Sequence, residues 1–310
     1  MHVASISHDG VCSCCGGTLG TKPISSRERD IIKQGVIQEA SAAGQDHLGV
    51  SNAEMLEEFD AYMARRKKPP TMIFDAANIG WHNKEVSDGV YRFDQVEKIY
   101  QQCLELGYEV LLIIPARYSQ GQYIPSVNKK HRQHRSGKDA SIIRKWRRDG
   151  VLYECNHGTD DDWYWIYASV ARDDAMPLVI TNDKMRDHKE PLIVNRHQQP
   201  FKSWYYSQVV SLKNEGYDGL FLEPPRRYSP VIQQAGDTKK WHIPVVKLVN
   251  TGPYDEERIC ALTDICYWLC VDLECSEELT FGSPRLDQHL VDGMNEADKT
   301  EALEQEGLGR

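Results

Sequence analysis

The sequence predicts an α/β protein with a parallel sheet covered by helices, and three observations indicate this fold class. An apolar run, MIF, follows the boundary RRKKPP and predicts a buried strand over 71–78. Apolar residues at helical spacing over 93–106, stopped by Gly107, lead into the strand EVLLIIP and complete a strand-helix-strand unit. The alternation then repeats, as it does in parallel sheets with helices on both faces.

The repeated part of the pattern supplies the remaining elements. A basic helix is expected around 141–148, followed by a strand over VLYEC at 151–155. An aromatic helix is expected from about 162 to 171, followed by a strand over PLVIT at 177–181.

Length and composition bound the organisation. The 310 residues are 40% hydrophobic, which is enough for one substantial core and a smaller module. No stretch approaches the roughly 18 apolar residues of a membrane span, and MHVASISHDG does not resemble a signal peptide, so we expect a soluble intracellular protein without a membrane partner. Acidic residues among few large apolar ones predict a disordered tail over 276–310.

The cysteines gather at the two ends of the chain. Their number is odd and their distribution suits a metal site that joins distant segments better than a disulfide framework. The nine positions are Cys12, Cys14, Cys15, Cys103, Cys155, Cys260, Cys266, Cys270 and Cys275.

The net charge of -9 argues against a nucleic-acid partner, but the distribution of charge does not. Nine basic residues stand against Asp139 alone between positions 129 and 148. The ordinary interpretation is a solvated helix and loop, and a neighbouring phosphate-directed site would favour RNA binding. The candidates for RNA contact are Lys129, Lys130, Arg132, Arg135, Lys138, Arg144 and Arg147.

Aspartates follow several of the predicted strands. Asp75 ends the first strand, Asp183 lies just beyond the last, and Asp160, Asp161 and Asp162 lead into the aromatic helix. In open parallel sheets, ligands bind beyond the carboxyl ends of the strands, so all five fall on one rim. Taken alone, Asp160 to Asp162 and Asp183 could be helix caps.

Convergence of these carboxylates is what capping does not explain. Carboxylates on one rim repel one another unless a cation neutralises them, and oxygen ligands without histidines favour Mg²⁺ or Mn²⁺. Two such ions support hydrolysis of a phosphodiester. The neighbouring residues Asn78 and Asn182 are either supports of this site or turn residues.

The segments FDAANIG, TDDDWYWIYA and LVITNDKMRDH, in this order, resemble the metallonuclease domain of protein-only RNase P (PRORP), in the NYN group of PIN-like nucleases. The resemblance extends from about Cys12 to Cys270, and DDWYW followed by TNDxMRDH is its most specific part. It implies a ribonuclease P, an endoribonuclease that uses two Mg²⁺ ions to remove the 5′ leader of precursor tRNA, leaving a 5′ phosphate and a 3′ hydroxyl. It implies metal-binding roles for Asp75, Asp161, Asp162 and Asp183, a further active-site role for Asp187, and a helix cap at Asp160.

The same family has a structural zinc module, and CSCCG, WHIP and WLC resemble its ligand segments. The implied ligands form a closed Cys₃His set, which is typical of structural zinc. They are Cys12, Cys15, His242 and Cys270, with Cys260 or Cys266 as alternatives for the last because the interval after His242 is long. The implied organisation is a discontinuous zinc-binding module of residues 1–25 and 226–275 and a metallonuclease domain of residues 26–225.

Two departures from the family pattern leave alternatives open. Members carry pentatricopeptide repeats before the zinc cysteines, and few residues precede them here, so this chain is either a fragment or is assisted by another RNA-binding region or subunit. FKSWYY has also lost much of the charge of the family's basic segment. The alternatives are an NYN nuclease of another RNA and an idle RNA-binding scaffold. The zinc segments and the complete set of acids favour a ribonuclease P over both alternatives. The expected compartment is a mitochondrion, a plastid or the nucleus.

Overall fold

Two β-sheets organise the part of the chain that the computed structural model describes. That part comprises residues 1–42, 51–83, 89–126, 134–156, 159–172, 176–183, 198–215, 219–246 and 265–272. The strands are β1 (His2–Ala4), β2 (Met72–Asp75), β3 (Val110–Pro115), β4 (Leu152–Cys155), β5 (Leu178–Ile180), β6 (Val209–Glu215), β7 (Gly219–Glu223), β8 (Gln233–Gln234), β9 (Trp241–Val246) and β10 (Ile265–Val271). The helices are α1 (Ser26–Ala42), α2 (Asn52–Arg65), α3 (Ala76–Trp81), α4 (Phe93–Glu105), α5 (Ala116–Ser119), α6 (Gly137–Arg148), α7 (Asp161–Val170) and α8 (Gln198–Gln208).

The larger sheet is the predicted parallel sheet. Its strand order is β4-β3-β2-β5-β6-β7, and neighbouring strands are parallel except for β7, which is antiparallel to β6. Side chains alternate between two cores: Ile73 packs in the core with residues of α1, α2, α7 and α8, and Phe74 in the core with residues of α3, α4 and α6. Helices therefore cover both faces, which confirms the predicted fold class.

Polar caps explain where predicted boundaries are wrong. The sequence predicts one strand over 71–78, but β2 ends at Asp75 because its side chain accepts a hydrogen bond from the N–H of Asn78 and begins α3. The basic helix begins before position 141, at Gly137, because Ser136 and Asp139 form a capping box. The other predicted strands and helices agree with the structure to within one residue at each end.

The aromatic residues of α7 and α8 form a large part of one core. Trp165 and Trp204 are fully buried, with ring centroids 6.3 Å apart and an interplanar angle of 20°. The Trp204 indole N–H donates to the Ser169 hydroxyl at 2.8 Å, so its polar atom is satisfied in the interior. The segment FKSWYY, which has lost much of the charge expected of it, thus supplies Phe201 and Trp204 to the core.

The smaller sheet joins two segments that are far apart in the sequence. Its strand order is β1-β10-β9-β8, all antiparallel, and its register places Ala4 opposite Trp268 and Cys270 opposite His242. Its core is small and consists of Ala4, Cys12, Leu19, Tyr228, Ala235, Trp268 and Cys270. A core of this size buries little apolar area, so its stability depends on additional contacts.

Residues Met1–Asp272 form one compact unit that contains both sheets. The boundaries of the predicted zinc-binding module and metallonuclease domain, at residues 25 and 226, stay a prediction. The predicted tail over 276–310 lies outside the described residues. Among the helices that the structure describes, none is long and apolar enough to cross a membrane.

We expect Trp204→Ala to lower the free energy of unfolding by about 3–5 kcal/mol, because it opens a cavity beside Trp165 and removes a buried aromatic ring. Leu106→Ala is the control, since Leu106 is 71% exposed, and its effect should stay within about 0.5 kcal/mol. Urea denaturation measures both. Equal effects of the two substitutions would contradict the packing described for α7 and α8.

Candidate metal centres

The carboxylates lie where the strand order of the larger sheet reverses. From β2 the chain continues through β3 to β4 at one edge, and then returns to β5 on the other side of β2. Asp75 ends β2, and Thr181, Asn182 and Asp183 follow β5, its parallel neighbour. Such a switch point leaves a crevice beyond the carboxyl ends of the two central strands.

Asp75 is the most buried acid of this crevice, with 2% of its surface exposed. One carboxylate oxygen accepts the N–H of Asn78 at 2.9 Å, and the other accepts the Thr181 hydroxyl at 2.8 Å. Burial raises the pKa of Asp75 well above its usual range, and repulsion by Asp162 and Asp161 raises it further. Asp75 therefore lies within electrostatic reach of the acids of α7.

The first turn of α7 supplies three adjacent acids. Asp160 is the N-cap, and its side chain accepts the N–H of Asp162 at 3.2 Å, which confirms the predicted cap. The carboxylates of Asp160, Asp161 and Asp162 have oxygens within 4.8 Å of one another. Burial and the neighbouring Asp162 raise the pKa of Asp161 to about 7. The Trp165 indole N–H donates to Asp162 at 3.1 Å and orients its carboxylate.

Asp183 is held through its backbone just beyond the end of β5. Its N–H donates to the Thr181 hydroxyl at 2.9 Å, and the same hydroxyl donates to Asp75, so Thr181 links the backbone of Asp183 to the carboxylate of Asp75. The N–H of Asn182 donates to the side-chain oxygen of Asn78 at 2.9 Å, so both asparagines have supporting contacts. Burial raises the pKa of Tyr205, and the charge of Asp183 raises it further, which places this acid beside α8.

The structure brings the predicted acids together unequally. Asp161 and Asp162 lie close enough to Asp75 to raise its pKa, whereas the backbone of Asp183 is linked to Asp75 through Thr181. Asp187 lies outside the described residues. The sequence interpretation did not include Thr181, and a hydroxyl residue directly after a buried strand on the acidic rim is the signal that could have found it.

The donors of this centre fit a hard divalent cation. They are carboxylates, they repel one another, and the buried members have raised pKa values that a bound cation would lower. Mg²⁺ keeps several waters and needs one or two protein carboxylates, so a set of this size is sufficient. The residues that could hold it are Asp75, Asp161, Asp162 and Asp183.

A second group of donors lies in the smaller sheet. One ligand atom each from Cys12, Cys15, His242 and Cys270 falls within 4.8 Å of the others, and the Cys15 sulfur is 3.5 Å from Nε2 of His242. Strand register places His242 of β9 opposite Cys270 of β10, while the turn after β1 supplies both remaining cysteines. Of the alternatives, Cys260 and the side chain of Cys266 lie outside what the structure describes.

The protonation energetics of this group also fit a cation. Burial, followed by the neighbouring Cys15, raises the pKa of Cys270 to about 12. Burial opposes ionisation of Cys15, but hydrogen bonds from Gly17 and Thr238 outweigh it and lower the pKa of that thiol. Thiols so close together cannot all ionise unless a cation neutralises them, and three cysteines with one histidine form a closed tetrahedral set suited to Zn²⁺.

The predicted RNA-binding residues lie in different environments. Lys138 and Arg144 are exposed on α6. Arg135 donates to the carbonyls of Tyr118 and Ser119 at 2.6 and 2.7 Å, so it supports α5. Arg147 forms an ion pair with Glu154. The remaining three, which are Lys129, Lys130 and Arg132, lie outside the described residues.

The sheet order and its acidic switch point define an α/β protein with a candidate carboxylate metal centre at the carboxyl ends of its central parallel strands. A crystal structure of nuclear proteinaceous RNase P 2 from Arabidopsis thaliana has the same fold, with a TM-score of 0.60 and 22% identity over 87% of this chain and 49% of that one. A second structure of that protein agrees, with a TM-score of 0.58.

The family model of protein-only RNase P matches residues 6–270, and the chain belongs to that family. Proteinaceous RNase P 1, chloroplastic/mitochondrial, of Arabidopsis thaliana is 29% identical over 246 residues, which are 77% of this chain and 37% of that protein. The mitochondrial ribonuclease P catalytic subunit of Mus musculus is 23% identical over 274 residues, which are 86% of this chain and 41% of that protein. The chain thus spans about two fifths of the length of these relatives.

Crowding of the acids predicts a specific pH dependence. Asp161 has an unfolded-state pKa of about 4 and a folded-state pKa of about 7, so the folded state binds more protons between these values. Without divalent cations, the free energy of unfolding should therefore decrease as the pH rises from about 4 to 7. Asp161→Asn should flatten this decrease, whereas Asp94→Asn, at an exposed surface position, should not. Thermal denaturation across this pH range measures the effect, and identical profiles for the two variants would contradict it.

The three cysteines and the histidine of the smaller sheet lead us to expect a bound metal that stabilises this sheet. Metal analysis of the purified chain should find about one Zn²⁺ per molecule, and strong chelation should lower the melting temperature. Cys15→Ser should lose the metal, whereas Cys14→Ser, at an exposed neighbour, should keep it. An unchanged melting temperature after chelation would show that this group is a set of buried thiols.

Proposed function

We propose that this chain is an endoribonuclease that removes the 5′ leader of precursor tRNA by Mg²⁺-dependent or Mn²⁺-dependent hydrolysis. The observation that carries the proposal is the convergence of buried Asp75 with Asp161 and Asp162 at the switch point of the sheet, in a chain of the protein-only RNase P family. The names of related proteins from Arabidopsis and mouse, which contain the words RNase P or ribonuclease P, support the substrate class.

The proposed reaction is a single displacement at phosphorus. The oxygen of a water molecule forms a bond to phosphorus, and the bond between phosphorus and the 3′ oxygen of the leader breaks. The water loses a proton and the departing 3′ oxygen gains one, which leaves a 5′ phosphate on the tRNA and a 3′ hydroxyl on the leader. Two bound divalent cations would activate the water and stabilise charge on the departing oxygen.

The chain's own residues would orient this site. Hydrogen bonds from Asn78 and Thr181 fix the carboxylate of Asp75, so its free lone pairs have a defined direction. The indole of Trp165 fixes Asp162 in the same way. Fixed ligands reduce the reorganisation needed when substrate binds, which is how preorganised sites lower a barrier. In our proposal Asp75, Asp161, Asp162 and Asp183 hold the cations, and Asp187 assists.

RNA contact would use a basic surface formed by α6 and by the basic residues before it. Exposed Lys138 and Arg144 on α6 support this part of the proposal, as does the basic composition of residues 129–135. Arg135 and Arg147 would stabilise this surface and would not bind phosphate directly, because their guanidinium groups donate to the Ser119 carbonyl and to Glu154. We infer weak, salt-sensitive RNA binding by these residues, supplemented by a further RNA-binding region or subunit.

The second centre would be structural. We propose that Zn²⁺ bound by Cys12, Cys15, His242 and Cys270 joins residues 1–25 to residues 226–275 and completes a module beside the metallonuclease domain. Its closed donor set leaves no position for substrate. Names of relatives include the words chloroplastic, mitochondrial and nuclear, and we assign this chain to one of these three compartments, where precursor tRNAs are made.

The direct test is incubation of the chain with a 5′-extended precursor tRNA and Mg²⁺, with the 5′ ends of the products mapped. We expect one cut, at the mature 5′ end, and complete loss of cleavage in Asp161→Ala and Asp183→Ala because each removes a proposed ligand. Asp94→Asn should cleave normally.

Three results would contradict parts of the proposal. Mg²⁺-dependent cleavage by either ligand variant would show that the assigned site is wrong. Cuts at other positions would indicate a nuclease of another RNA, and RNA binding without cleavage would indicate a scaffold protein.

A further inference from the structure

The geometry points to His82 as a positioning residue of the carboxylate centre, acting through Asn182 on the neighbouring Asp183. This inference rests on the proposed function, because it assumes that these carboxylates hold a cation. His82 ends α3, and nothing in the sequence pattern marks it as part of the site.

Asn182 joins the end of β5 to β6 through its side chain. Its amide oxygen accepts the N–H of Leu212 at 2.7 Å, and its amide nitrogen donates to the carbonyl of Leu212 at 2.7 Å. This pair of bonds imitates the backbone ladder where β5 has ended. Asn182 also donates its own N–H to Asn78, so the residue directly before Asp183 is restrained from two sides.

His82 supplies the third restraint on Asn182. Its Nδ1 lies 3.1 Å from the amide nitrogen of Asn182, and its Nε2 lies 2.9 Å from the side-chain oxygen of Asn214. An amide nitrogen has no acceptor lone pair, so Nδ1 of His82 must accept this bond. The proton of the neutral ring is therefore on Nε2, which donates to Asn214.

Further contacts fix the imidazole in place. Asn83 and Asn214 exchange two amide hydrogen bonds, of 2.6 and 3.0 Å. The backbone of Asn83 is in the left-handed region, with φ of 58°, which asparagine tolerates better than most residues. The Gln95 amide donates to the carbonyl of His82 at 3.0 Å, so the end of α3 is also anchored from α4.

Helix α3 thus connects two carboxylates of the centre. Asp75 caps its first turn, and His82 ends its last turn and holds Asn182, which precedes Asp183. The short helix acts as a spacer that fixes the separation of the two acids across the switch point. Mg²⁺ and Mn²⁺ need oxygen ligands at closely defined distances, so loss of the spacer's distal contact should weaken cation binding.

Titration of the 310-residue chain with Mn²⁺, followed by the loss of the free-ion electron paramagnetic resonance signal, tests this inference without RNA. His82→Ala and Asn214→Ala should weaken Mn²⁺ binding about tenfold, as supporting contacts of metal ligands commonly do. His82→Gln should restore most of the affinity, because its amide can accept from Asn182 and donate to Asn214. His2→Ala, at an exposed position of the smaller sheet, should bind Mn²⁺ as the unchanged chain does.

The outcomes separate the two proposals. The proposed function itself would be overturned if the unchanged chain did not bind Mn²⁺, or if an Asp161→Ala variant bound it equally well. Normal Mn²⁺ affinity in His82→Ala, with binding intact in the unchanged chain, would overturn the role of His82 alone. Equal loss in His82→Ala and His82→Gln, together with a matching fall in melting temperature, would also overturn it, because a general loss of stability would then explain the result.

Discussion

Repulsion among half-buried and buried carboxylates at the end of β2 is the constraint around which the larger sheet is arranged. Asp75 is almost fully enclosed, and its pKa is raised first by burial and then by Asp162 and Asp161. The fold opposes this cost with hydrogen bonds from Asn78 and Thr181 and with the N-terminal dipole of α7. These donors only partly offset the cost, since the pKa shifts remain upward. In our proposal a divalent cation bound by these carboxylates offsets the remaining cost.

The two proposed centres bring together residues that are distant in the sequence, and the interactions that hold those residues differ. In the larger sheet, apolar cores on both faces hold the strands, so the acids can be crowded without loss of the fold. The smaller sheet has a core of few residues, and its strands come from both ends of the described chain. Donors from these strands meet in one closed group that a single cation could tie together. The catalytic proposal therefore depends on packing, whereas the structural proposal depends on metal coordination.

Much of the fold could be predicted because its signals are local. Continuous apolar runs gave β3 and β4, and helical spacing gave α4, each close to its observed bounds. The predicted end of the first strand, at position 78, was wrong because Asp75 ends the strand and caps α3. A capping hydrogen bond does not appear in the periodicity of the sequence. Among the basic candidates, charge alone could not separate exposed Lys138 from Arg135, whose guanidinium binds backbone carbonyls.

The sequence by itself determined the fold class, the donor types and the rim on which the acids lie, because periodicity and residue chemistry are properties of short segments. It also carried the motifs of the family. Only the tertiary structure decided which groups meet. Thr181 contacts Asp75 across 106 positions, and His82 contacts Asn182 across 100. Such contacts depend on strand order and register, which arise from the packing of the whole sheet and leave no mark in any one segment.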